Sequence, residues 1–78
     1  MPSLRVEGFR LIVNTRGERG HQPHVHVIKG GTRVVITLDE WLTPYGPRGM
    51  TMRDIARARE LVADNLDRLM EWWMYFNG

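Results

Sequence analysis

Three histidines, His21, His24 and His26, fall within six positions of one another, and the chain has no others. Imidazole is a metal ligand, a proton carrier near neutral pH and, once protonated, a donor to anions. In an extended strand alternate side chains point to opposite faces, so His24 and His26 share one face while Val25 and Val27 share the other. Two imidazoles spaced this way can chelate one divalent ion, with His21 as a third ligand and Asp39 or Glu40 close by in a folded hairpin. A catalytic zinc commonly takes three protein ligands and a water, and the third ligand here depends on the path of a loop. Arginine offers a second chemistry. Arg19 precedes the histidines in a glycine-containing loop, and Arg10 and Arg33 lie in flanking β-rich runs. The planar fork of guanidinium donors suits phosphate, and glycine lets backbone N–H groups approach an anion.

The elements that must position these groups can be read from periodicity. Phe9, Leu11 and Val13 alternate in a first strand, and residues 15–23 have loop composition. Residues 24–29 form a second strand, Gly30-Gly31 a two-residue turn, and residues 32–38 a third strand. That turn sets Lys29 opposite Thr32, Ile28 opposite Arg33, Val27 opposite Val34, His26 opposite Val35, Val25 opposite Ile36 and His24 opposite Thr37. Val25, Val27, Val34 and Ile36 then share one face; a slip of one residue would mix them with the polar set. Residues 39–50 read as irregular, with Trp41 and Tyr45 among prolines and glycines. Thr51-x-x-Asp54 has capping-box spacing and opens a helix. Ile55, Ala58, Val62, Leu66, Leu69, Trp73 and Phe76 form one apolar stripe along it. A single helix over residues 51–76 would be roughly 37 Å long. The expected architecture is therefore α+β: a three-stranded antiparallel sheet with a Gly-Gly hairpin, packed on one long C-terminal helix. Residues 1–78 form one domain.

Composition narrows the classes. With 78 residues and no cysteine there is neither a disulfide framework nor a thiolate metal site. No run has signal-peptide or membrane-spanning character, so a soluble cytoplasmic protein is expected. Ten of the eleven basic residues are arginine, the net charge is +2, and the sequence pI is 9.7. The last helical turns are apolar nearly all round, which points to a homo-oligomer joined through Met70, Trp72, Trp73 and Phe76. No Ser-His-Asp order, P-loop or carboxylate dyad is present.

Pro23-His24-Val25-His26-Val27, the hairpin after it, Leu61-Val62-x-x-Asn65 and Leu69-x-x-Trp72-x-x-x-Phe76 together resemble the domain of unknown function 4160 family. Those small bacterial and phage proteins are often encoded beside other tiny proteins. The resemblance implies a whole-chain domain with His24 and His26 at motif positions, and toxin–antitoxin or accessory roles. It carries over no catalytic residue. Gln22-Pro23-His24-Val25-His26-Val27-Ile28 also partly resembles the histidine-triad signature of nucleotide hydrolases, with Gln22 in place of the first histidine.

The leading expectation is a non-catalytic binding protein without cofactor. It would capture an anionic, phosphorylated ligand such as a nucleotide or RNA on His21, His24, His26, Arg33, Arg19 and Arg10, with Trp41 and Tyr45 available for stacking. Two alternatives stand beside it. One is a metal- or histidine-dependent ribonuclease or phosphohydrolase of toxin type, with zinc or another divalent ion on His21, His24 and His26. The other is a protein-interaction module serving a partner encoded by an adjacent gene.

Overall fold

The computed structural model describes residues 2–15 and 22–77. Arg19 and His21 lie outside them. Five strands, β1 (Ser3–Val6), β2 (Phe9–Ile12), β3 (His24–Lys29), β4 (Thr32–Thr37) and β5 (Pro44–Arg48), precede two helices, α1 (Met52–Asp64) and α2 (Leu66–Asn77). The strands form one antiparallel sheet in the order β1-β2-β3-β4-β5, each paired with its neighbour in sequence.

The β3–β4 register has the six pairs expected from the Gly-Gly turn, from Lys29 opposite Thr32 to His24 opposite Thr37. Gly30 supplies the positive φ, +59°, that the turn requires. The three-stranded, single-helix architecture is corrected on three points. First, β1 pairs with β2 through a turn in which Glu7 (φ +52°) and Gly8 (φ +81°) are both left-handed, the backbone of a type I′ hairpin. Glutamate has no preference for that conformation, so Gly8 alone marks the turn in the sequence. Its carboxylate instead holds the Arg57 guanidinium of α1, which also reaches Glu60. That ion pair keeps the Glu7 carboxyl below its usual range. Glu7 therefore supports the fold above its ordinary pKa and ceases to do so as pH falls through the lowered one.

Second, residues 44–48 form an edge strand despite Pro44, Gly46 and Pro47, with Val35 opposite Tyr45 and Ile36 opposite Pro44. Proline lacks an N–H, which an edge strand tolerates on its unpaired side. Third, the helix breaks at Asn65. The Asn65 amide donates to the Leu61 carbonyl at 2.8 Å, and its backbone N–H turns back to Val62. Side-chain competition of this kind interrupts the helical ladder. Helix α1 begins as expected, with Thr51 Oγ1 accepting from the Asp54 N–H at 3.1 Å.

The apolar stripe serves one core on both sides of the break. Leu11, Val27 and Val34 lie side by side across β2, β3 and β4, joined by Val25, Ile36, Phe9 and Val13, all buried. Ile55, Ala58, Leu61 and Val62 of α1 and Leu69 and Trp73 of α2 complete the same core. Leu69 and Trp73, beyond the break at Asn65, are buried in that core, and Asn77 fastens the end of α2 to the Asn14 carbonyl at 2.7 Å. Among the described residues no helix is long and apolar enough to cross a membrane.

Candidate functional site

Strand pairing sorts the side chains opposite the core into files that run across the sheet. Arg5 of β1 faces Arg10 of β2, Arg10 faces Ile28 of β3, and Ile28 faces Arg33 of β4. Two residues along each strand lies a second file: Ser3, Ile12, His26, Val35 and Tyr45, across all five strands. A third begins with His24 and Thr37.

Arg5, Arg10 and Arg33 are exposed, and none forms an ion pair among the described residues. Like charges directly opposite one another on a sheet are unfavourable, so the Arg5–Arg10 pair works against the fold. No strand position of this face in the three files carries a carboxylate. Charge is segregated along the chain as well. Residues 1–50 contain seven basic and four acidic residues, whereas residues 51–78 contain four basic and five acidic. The apolar members Ile12, Ile28 and Val35 are half-buried, as is His26, and Tyr45 is 45% exposed at the β5 edge.

The two described histidines have different surroundings. His24 is only 9% exposed, because the Trp73 ring lies against it at 4.9 Å between centroids. Its Nδ1 is 2.7 Å from the Gln22 carbonyl. A carbonyl can only accept, so Nδ1 carries a proton and donates. The placement of His24 on an open floor is thereby corrected: α2 swings over that end of the sheet and roofs its imidazole. His26 lies 5.3 Å from the His24 ring, edge to face, on the more accessible side. Trp73 itself is 3% exposed and belongs to the core of its own chain, while Met70 and Trp72 are half-buried against that core. Phe76 is partly exposed, and Met74 and Tyr75 are more so.

Among the described residues no cluster of three or more His, Cys, Asp or Glu side chains is arranged to hold a metal; His21 lies outside them. Asp39 is committed elsewhere. Its Oδ1 accepts from the Thr37 hydroxyl and from the backbone N–H groups of Trp41 and Leu42, and its Oδ2 from Gln22. The turn so formed leaves the Trp41 side chain 67% exposed. The sequence drew attention to the histidines and to Arg10 and Arg33, but missed Arg5. Only the unforeseen β1 brings it into the arginine file.

A separate cleft of about 620 Å³ lies between the β1–β2 turn and α1, lined by Glu7, Lys29, Arg53, Asp54, Arg57 and Glu60 among others. Lys29 pairs with Asp54, and Arg57 with Glu7 and Glu60. Its opposed charges largely neutralise one another, so it has little to attract an anion.

Fold and site define a class: a small α+β domain, a five-stranded meander packed on two helices and bearing arginine on the face opposite the core. Residues 8–74 match the family model described as Domain of unknown function (DUF4160), and the chain belongs to that family. No curated protein and no solved structure matches the chain.

Proposed function

We propose that the protein is a non-catalytic binding protein whose open sheet face captures a phosphate-bearing ligand, a nucleotide or RNA. The observation that carries this reading is the cross-strand file Arg5–Arg10–Ile28–Arg33. It sets three guanidinium groups on one face, with no ion-pair partner among the described residues. Paired N–H donors of guanidinium match phosphate oxygens, and a bound phosphate relieves the repulsion between Arg5 and Arg10. His26, in the adjacent file, adds a donor when protonated. The Trp73 ring covers His24, which leaves His26 as the more accessible imidazole of this face.

The test is thermal stabilisation by inorganic polyphosphate and by a mixed-sequence RNA at low salt. The parent protein melts higher with either probe, and the recovered RNA is intact. Arg10→Glu with Arg33→Glu melts cooperatively, with an unchanged circular dichroism spectrum, and gains no stabilisation. Equal stabilisation of parent and double variant would remove this face from the reading.

A protein-interaction role is the second reading, favoured by the exposed Met74 and Tyr75 and the partly exposed Phe76 at the end of α2. Self-association is its simplest form. Sedimentation should then show a concentration-dependent dimer in the parent and a monomer for Tyr75→Glu. A parent that stays monomeric at high concentration would exclude self-association.

A further inference from the structure

The two files on the open face differ in chemistry and lie side by side, which restricts what can cover both. The arginine file runs across four strands. At about 4.8 Å per strand spacing it spans roughly 14 Å, too far for one phosphate to reach from Arg5 to Arg33. The second file, Ile12–His26–Val35–Tyr45, lies about 7 Å away along the strands and offers half-buried apolar surface ending in an exposed aromatic ring. Inorganic polyanions would engage only the first file. A duplex presents phosphates outward with its bases stacked inside, and a sheet face without a protruding helix or ribbon enters neither groove. A single strand of nucleic acid carries phosphates along one side and apolar base faces along the other, matching both files at once.

We infer that this face binds single-stranded nucleic acid running across the β-strands, its phosphates on Arg5, Arg10 and Arg33 and its bases over Ile12, His26, Val35 and Tyr45. The inference rests on the reading that the face takes a phosphate-bearing ligand, and it adds the form and direction of that ligand. Ile28 separates Arg10 from Arg33 in the arginine file, so the central phosphate-to-phosphate step crosses an apolar side chain. Tyr45 marks the far end, and bases stack on an aromatic ring with little regard to sequence. Sequence preference is accordingly weak.

The experiment is fluorescence anisotropy with labelled oligouridylate of eight residues, compared with uridine monophosphate, a blunt RNA duplex and inorganic polyphosphate of matched charge. The single strand is expected to bind at least tenfold more tightly than each of the others. The slope of log affinity against log salt should be about −2, as three phosphate contacts on a single strand require. Arg10→Ala brings the slope nearer to −1.4. Tyr45→Ala weakens oligouridylate about tenfold without altering the slope, and Tyr45→Phe, which keeps the ring, restores binding. Polyphosphate binding is unaffected by either tyrosine change. If polyphosphate binds as tightly as the oligonucleotide and Tyr45→Ala changes neither, the single-strand inference fails while the broader phosphate reading stands. If no probe binds, both fail.

Discussion

Trp73→Ala is expected to destabilise the fold by about 3–5 kcal/mol, the range for removing a buried large aromatic. A domain of this length holds roughly 4–12 kcal/mol in total, so the variant approaches unfolding at room temperature. The ring is almost fully enclosed and touches the His24 imidazole. Its loss would open a cavity where α2 meets the sheet and expose a histidine whose Nδ1 is bonded to Gln22. Trp73→Phe keeps most of the apolar area and should lose much less. His24→Ala should also destabilise, by about 1–3 kcal/mol, because the buried imidazole loses both its packing against Trp73 and its bond to the Gln22 carbonyl. Urea denaturation followed by circular dichroism measures all three. A Trp73→Ala midpoint equal to the parent's would mean that the end of α2 does not close the core.

Asp39→Ala is the second large effect, at about 2 kcal/mol. One carboxylate oxygen gathers the Thr37 hydroxyl at 2.9 Å, the Trp41 N–H at 3.0 Å and the Leu42 N–H at 2.9 Å. The Thr37 hydroxyl in turn accepts from the Thr43 N–H at 2.8 Å. These bonds hold Leu42 at φ +49°, a conformation that side-chain-bearing residues adopt at a cost. Arg59 of α1 grips the same turn through the carbonyls of Trp41 and Leu42. Asp39→Asn keeps an acceptor oxygen and should lose about half as much. Because the turn sets Tyr45 opposite Val35, Asp39→Ala should also weaken oligouridylate binding, whereas a merely charged loop would leave it unchanged. A stability loss under about 0.5 kcal/mol would show the turn to be held by other contacts.

The parts of this fold legible in the sequence are those where two independent constraints agree. The Gly30-Gly31 turn and the alternation of Val25, Val27, Val34 and Ile36 each specify one register, and they specify the same one. The capping threonine at Thr51 was similarly plain. Strand β1 was obscured because its turn uses glutamate, a residue that signals no turn, and is supported by a charge fifty positions away on Arg57. Strand β5 was obscured because proline and glycine read as loop, although an unpaired flank removes the usual objection to them. The helix break was hidden by an apolar period that continues through Asn65 without interruption. It rests on the Asn65 side chain turning back to the Leu61 carbonyl, which an apolar period does not reveal. The candidate site shows the same division. His26, Arg10 and Arg33 were visible as one face, Arg5 required β1, and the burial of His24 required the direction of α2.

The meander also bears on how the chain is made. Every strand pairs with its immediate neighbour, so the sheet closes through local contacts and meets only small loop-closure costs. During synthesis from the N-terminus the five strands leave the ribosome ahead of both helices. At that moment Leu11, Val25, Val27, Val34 and Ile36 form an uncovered apolar slab, which the arrival of α1 and α2 then closes. The nascent chain is therefore most prone to stick to its neighbours in the interval before the two helices appear.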